Sequence, residues 1–312
     1  MGMIAIALSI APIFLLIVTG YALRRGGIPS EEFWLLNDRL VYFVLMPALF
    51  FVRISEADLS DPDLIPYAAT LYGGFFAAVA AGTAAAVLLR FPGPQATSIL
   101  QGAGRFNTFI ALAVAEALYG HPALQLAVLG AAVLVPVVNL TVVGLFAVLM
   151  PRPGGSVLLG AARSLATNPL ILSILAAGVV NKLALAPIPV LQETLAVLGQ
   201  AALPIMLLCV GASLKLRGLQ AELWPMGLAA MAKLVLFPAV ILGLALVLDL
   251  PPLTAQVALI YGALPTGVAA YTLARQLGGD APLMAAMITV QTLLAFAIMP
   301  LWLSLGAYAF GL

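Results

Sequence analysis

Residues 95–122 read QATSILQGAGRFNTFIALAVAEALYGHP, and residues 253–282 read LTAQVALIYGALPTGVAAYTLARQLGGDAP. Each is an apolar run of helix length, and their ends match: Ala115-Glu116-Ala117-Leu118-Tyr119-Gly120 stands against Ala274-Arg275-Gln276-Leu277-Gly278-Gly279, with Pro122 and Pro282 opening the next run. Outward from this pair the landmarks keep their order at a spacing of about 157 to 160 residues: Pro12 with Pro169, Met46-Pro47 with Leu203-Pro204, and Pro66 with Pro225. Any one pair could arise by chance in a proline-rich chain; several in register point to a duplicated unit.

The runs between these landmarks are long enough to cross a bilayer. Of the 312 residues, 64% are hydrophobic and 8% charged, where a soluble domain has roughly 45–50% and about 25%. A span needs about 20 apolar residues, and apolar runs cut by charge, Gly and Pro give ten spans: about 3–23, 33–52, 64–89, 95–119, 122–150, 157–180, 189–214, 223–248, 253–277 and 282–309. The expected class is an all-α integral membrane protein, with residues 1–150 and 157–312 as two five-helix units and no linker long enough for a further domain. Five is odd, so the second unit enters the bilayer from the opposite side and the halves form an inverted repeat. Connections after odd-numbered spans carry Arg24, Arg25, Arg90, Arg152, Arg163, Lys215, Arg217 and Arg275, whereas those after even-numbered spans carry Arg53 and Lys182. The positive-inside rule makes the first set cytoplasmic and puts both termini on the extracytoplasmic side.

Composition also excludes functions. The formal net charge is +1, with no basic stripe or tail, which removes the case for nucleic acid. Cys209 is the only cysteine and His121 the only histidine, so a disulfide framework, a Cys/His metal site and a Ser-His triad are excluded or strained, and neither cofactor nor metal is expected. The first apolar run has no basic residues before it, and its Arg24-Arg25 pair follows it. It therefore reads as a span and not as a signal peptide.

Four motifs then resemble the auxin efflux carrier family, which includes plant auxin exporters and bacterial carriers of malonate, malate and other organic acids. They are Leu40-Val41-Tyr42-Phe43-Val44-Leu45-Met46-Pro47-Ala48-Leu49 in the second span and Arg105-Phe106-Asn107-Thr108-Phe109-Ile110 in the fourth. Leu203-Pro204-Ile205-Met206 with Val210-Gly211-Ala212-Ser213-Leu214 stands in the seventh, and Ala263-Leu264-Pro265-Thr266-Gly267-Val268 with Leu273-Ala274-Arg275-Gln276 in the ninth. The resemblance implies spans 4 and 9 that are broken and cross near mid-membrane. It also implies a scaffold of spans 1, 2, 6 and 7, marked by Pro47 and Pro204 and serving as a homodimer surface, against which spans 3–5 and 8–10 move in an elevator-type cycle. Plant members carry a proline at each crossover; here Ile110-Ala111-Leu112-Ala113-Val114 and Val268-Ala269-Ala270-Tyr271 do not, so the breaks rest on Asn107-Thr108 and on Pro265-Thr266-Gly267.

A broken helix exposes backbone N–H groups at a half-helix N-terminus, where partial positive charge suits a carboxylate. Asn107, Thr108 and Thr266 would add side-chain hydrogen bonds, with Pro265 and Gly267 shaping the break. Arg105, about ten residues into its span, lies near the midplane, where a charge is costly and marks a pathway. It either grips a substrate carboxylate or pairs with carbonyls freed at the break. Lys233 sits at similar depth in span 8 with no acid on its own helix: a counter-charge for substrate, a titrating group, or a ligand of carbonyls at a broken helix. Glu116, near the end of span 4, reads as a solvated helix end or a proton carrier; Asp38 and Arg39 read as interfacial, His121 as a loop residue and Cys209 as packing. Gln291 and Thr292 in the last span are candidates for a pocket wall, while Asn139, Gln200, Gln256 and Thr289 read as polar groups holding helices together.

The expectation is a carrier of small organic anions (carboxylates, auxin-like acids or dicarboxylates) in the plasma membrane, with the lipid bilayer as its surroundings. With no cluster of buried carboxylates, it would run on membrane potential or protons. A sodium-coupled carrier of the bile-acid type is the alternative within transporters. A ligand-binding sensor module is the alternative outside them, and an intramembrane enzyme lacks the paired acids or nucleophile it needs.

Overall fold

The computed structural model describes residues 2–150, 166–186, 188–215 and 223–312. Among these the secondary structure is helical throughout: α1 (Met3–Arg25), α2 (Glu31–Ser55), α3 (Leu64–Leu88), α4 (Gly93–Gly104), α5 (Thr108–Leu149), α6 (Pro169–Lys182), α7 (Pro189–Ser213), α8 (Leu223–Val247), α9 (Pro252–Ala263), α10 (Ala269–Leu277) and α11 (Ala281–Ala309). Seven helical stretches among the described residues are long and apolar enough to cross a bilayer, one of them the stretch Gly93–Leu149, interrupted at residues 105–107, that holds the expected spans 4 and 5. α6 is a shorter apolar helix. The first part of the expected sixth span, and the basic residues Arg152, Arg163 and Arg217, lie outside the described residues.

Several boundaries move for readable reasons. α1 runs through Arg24 and Arg25, which were expected in a connection; basic residues are favoured in a last turn, and the helix stops at Gly26-Gly27. α2 starts at Glu31 because the Ser30 hydroxyl accepts from the Phe33 N–H and two glutamates fill the first turn. Span 4 begins at Gly93 and stops at Gly104, where Arg105 turns extended. Span 9 stops at Leu264, also extended, as the residue before Pro265 must be. His121 is not in a loop: it follows Gly120, whose φ of +70° bends the helical run between Thr108 and Leu149, and its ring meets Arg53.

α2 and α8 each contain one π-helical turn, Val41–Leu45 and Ala232–Leu236, and each turn ends just before a proline, Pro47 or Pro238. A proline inside a helix lacks an N–H and crowds the carbonyl four residues earlier, so a wider turn there relieves both faults. The wide turns carry Tyr42 and Lys233.

α1, α2, α6 and α7 pack on one another, and α3, α4, α5, α8, α9 and α11 form a second packed group. α1 and α7 touch backbone to backbone. A Cβ on Gly20 would stand 2.0 Å from the Leu208 carbonyl oxygen, and one on Gly211 would stand 1.8 Å from that of Ile17, so only glycine fits at either point. Leu8, Leu15 and Val18 on the other side of α1 are exposed, as a lipid-facing surface requires.

Candidate functional site

The two breaks meet. The Asn107 N–H donates to the Pro265 carbonyl at 2.9 Å, and a Cβ on Gly267 would lie 2.5 Å from the Phe106 carbonyl oxygen. Asn107 caps α5, its Oδ1 accepting from the N–H groups of Phe109 (3.1 Å) and Ile110 (3.3 Å). No side chain caps α10. Both half-helix N-termini, Thr108–Phe109 and Val268–Ala269, line one cavity. They present the positive ends of two helix dipoles to it.

The opposite half-helix ends carry partial negative charge, and each has its own partner. At the C-terminus of α4 the Gly102 carbonyl accepts from Thr266 Oγ1 (2.9 Å) and Gln291 Nε2 (3.0 Å). Gln291 Oε1 in turn accepts from Thr266 N (3.0 Å) and shares the single Thr266 Oγ1 proton (2.6 Å) with the Gly102 carbonyl, so one side chain of α11 bridges both breaks. At the C-terminus of α9, Lys233 Nζ donates to the carbonyls of Tyr261 (3.2 Å) and Gly262 (3.4 Å), with the Phe237 ring centroid 3.7 Å away. A buried ammonium needs such partners, and two carbonyls at a helix C-terminus, with an aromatic face, supply them.

The cavity holds about 870 Å³. Its inner end is walled by buried groups at the crossing, among them Phe106 and Asn107, and its outer end by exposed Arg24, Asp38, Arg39, Lys215 and Arg275. Its charged lining is therefore five basic residues, with Arg105 between the two ends, against the single carboxylate of Asp38. Arg105 donates from Nη2 to Asn139 Oδ1 at 2.8 Å, while its Nη1 is buried with no partner; Asn107 Nδ2 is likewise buried and unpartnered. Nearer the mouth Lys215 Nζ donates to the Tyr271 hydroxyl at 3.1 Å.

The residues singled out in the sequence divide into three groups. Arg105, Asn107, Thr108 and Gly267 line the cavity together. Pro265, Thr266, Gln291 and Thr292 do not; Thr266 and Gln291 form the buried clamp behind the crossing, and Thr292 bonds back to the Ile288 carbonyl in its own helix. Lys233 lies outside the lining, at 0% exposure, and Glu116, also outside it, stands exposed, where its charge acts on Arg53. Pro47 and Pro204 sit within α2 and α7. Sequence reasoning missed the cavity roles of Tyr42, Asn139, Tyr271 and Lys215. Asn139 and Lys215 had been noted only as a bundle contact and as a loop charge, and nothing local in the sequence pairs Asn139 with a residue 34 positions earlier.

Comparison with known proteins places the chain among membrane transporters. The profile of the family described as "Membrane transport protein" matches residues 5–303. A protein of Rhizobium meliloti (strain 1021) named "Putative malonate transporter" is 31% identical over 303 residues, covering 92% of each chain. An "Uncharacterized transporter" of Methanothermobacter thermautotrophicus is 25% identical over 304 residues, covering 94% of this chain and 96% of its own.

Proposed function

The chain belongs to the auxin efflux carrier family of membrane transport proteins, and we propose on that premise that it carries small organic anions, malonate-like carboxylates among them, through the cavity at the crossing. One observation carries the reading: two buried donors without partners, Arg105 Nη1 and Asn107 Nδ2, on residues that line a cavity with five cations to one carboxylate. Buried donors are rarely left unpaired. A carboxylate seated between them would accept from both and face two half-helix N-termini, and a planar guanidinium suits it well.

The carrier works by alternating access. α1, α2, α6 and α7, with Pro47 and Pro204, form the scaffold and the surface of a homodimer, and α3 to α5 with α8 to α11 move against it in an elevator-type step. The denser packing within each group than between them supports this division, with α1 meeting α5 and α11 across the boundary. Residues 1–150 and 157–312 are the two inverted repeats, a reading supported by one broken span at the corresponding place in each half. The protein sits in the plasma membrane, and its basic residues put both termini outside, so the exposed end of the cavity, with Arg24, Lys215 and Arg275, faces the cytoplasm.

Uptake of radiolabelled malonate into proteoliposomes tests the proposal. Arg105→Ala and Asn107→Ala are each expected to abolish transport while the proteins stay monodisperse. Wild-type rates in both would remove these residues from the site. A thermal-shift screen against mono- and dicarboxylates checks binding apart from transport, because a ligand of the native state raises its stability.

A further inference from the structure

Arg105 is held by a neutral partner. A guanidinium has only N–H donors, so the Asn139 group 2.8 Å from Nη2 is its amide oxygen. Among the described residues no carboxylate stands within ion-pair distance of Arg105; the ion pair formed there is Arg24 with Glu31, at 3.6 Å. Tyr42 reaches toward Arg105 from α2, but it is also uncharged as a phenol. A carboxylate at position 139 would have offset the cost of a cation at this depth, and an amide does not.

We infer that Asn139 is a positioning residue that reserves the charge of Arg105 for the transported anion. It fixes one edge of the guanidinium without cancelling its charge and leaves Nη1, buried beside the cavity that Arg105 lines, without a partner. The inference rests on the anion-carrier reading of the same cavity.

Titration of the purified protein with sodium malonate by calorimetry tests it through three variants. Asn139→Asp keeps the acceptor and nearly the same shape but cancels the charge, and is expected to bind about 100-fold more weakly. Asn139→Ala keeps the charge and loosens its position, and is expected to bind about tenfold more weakly; both figures follow from the worth of a hydrogen bond to a charged group. The order is the decisive readout. A merely structural Asn139 would tolerate the isosteric Asp and suffer more from Ala, so affinity for Asn139→Asp equal to or above that for Asn139→Ala overturns the inference. Should Asn139→Asp give no monodisperse protein, Asn139→Gln carries the test: its neutral amide is expected to keep affinity above that of Asn139→Ala, and a value below it overturns the inference. A wild-type protein that binds neither malonate nor any other carboxylate defeats the anion-carrier reading, and this inference falls with it.

Discussion

Gln291 is the side chain on which the crossing is predicted to depend most. It makes three hydrogen bonds, to Thr266 N, Thr266 Oγ1 and the Gly102 carbonyl, and it lies at 1% exposure. In Gln291→Leu the volume is nearly kept, so no large cavity term arises, but the bonds go. The Gly102 carbonyl and the Thr266 hydroxyl retain each other at 2.9 Å, whereas the Thr266 N–H is left buried without a partner. An orphaned donor costs about 1–3 kcal/mol and the lost bond to Gly102 about 1 kcal/mol, a total of roughly 2–4 kcal/mol. At about 2 °C per kcal/mol for a chain of this size, the midpoint should fall by roughly 4–8 °C, with uptake lost. Gln291→Glu sharpens the test through its pH dependence. The protonated carboxyl can still donate to Gly102 and accept from Thr266, but the ionised form sets two oxygens against each other. Burial favours the protonated form, so this variant should be closest to wild type in acid and lose stability as pH rises, a trend absent from Gln291→Leu. Melting curves in detergent across pH, with malonate uptake in parallel, decide it. A Gln291→Leu protein that melts within about 1 °C of wild type and transports normally would refute the clamp.

Three further expectations follow from the packing and from the cavity lining. Uptake should persist when sodium is replaced by choline, because the ammonium of Lys233 already serves the α9 carbonyls at which a monovalent cation could sit; loss of uptake on sodium omission alone would contradict this. Gly211→Val should separate α1 from α7 and leave little folded protein, since even a Cβ would stand 1.8 Å from the Ile17 oxygen; a monodisperse variant melting like wild type would show that these helices yield. Cys209, the only cysteine in the sequence, lines the cavity, so a membrane-impermeant maleimide should label it from the cytoplasmic side and saturating malonate should slow the reaction; labelling from the opposite side alone would reverse the orientation.

Most of the spans were legible as apolar runs, and the two breaks, expected from the family resemblance, prove to have local causes. Pro265 constrains Leu264, and Asn107 offers its side chain to the two N–H groups that follow, so each break is written in residues adjacent to it. The partners of the breaks were not legible. Gln291 meets Gly102 across 189 residues and Lys233 meets Tyr261 across 28, and in both cases the sequence offers a polar residue in an apolar helix without saying which side of it faces the pathway. That ambiguity decides why Gln291 was expected on the pocket wall and instead lies behind the crossing. A polar group in a membrane helix has two ways to be satisfied, a water-filled cavity or another buried polar group. Periodicity is silent between them when every face is apolar.

The same distinction gives the few internal charges their separate tasks. Each break creates one positive and one negative helix end at the crossing. The negative ends are closed by the protein itself, by Gln291 with Thr266 at α4 and by Lys233 at α9. The positive ends are left facing the cavity, beside an arginine whose described partners include no carboxylate. A cation entering the cavity would meet two positive dipole ends and Arg105, with the Gly102, Tyr261 and Gly262 carbonyls already engaged, whereas a carboxylate would find Arg105 Nη1 and Asn107 Nδ2 without partners. If the protein carries anions as proposed, its selectivity would follow from which helix ends are satisfied internally. It should survive changes at the mouth, such as Lys215→Gln, that leave the crossing intact, with affinity for malonate lowered but its sign of charge preference kept. Uptake of a small organic cation by Lys215→Gln would show instead that the mouth sets the preference.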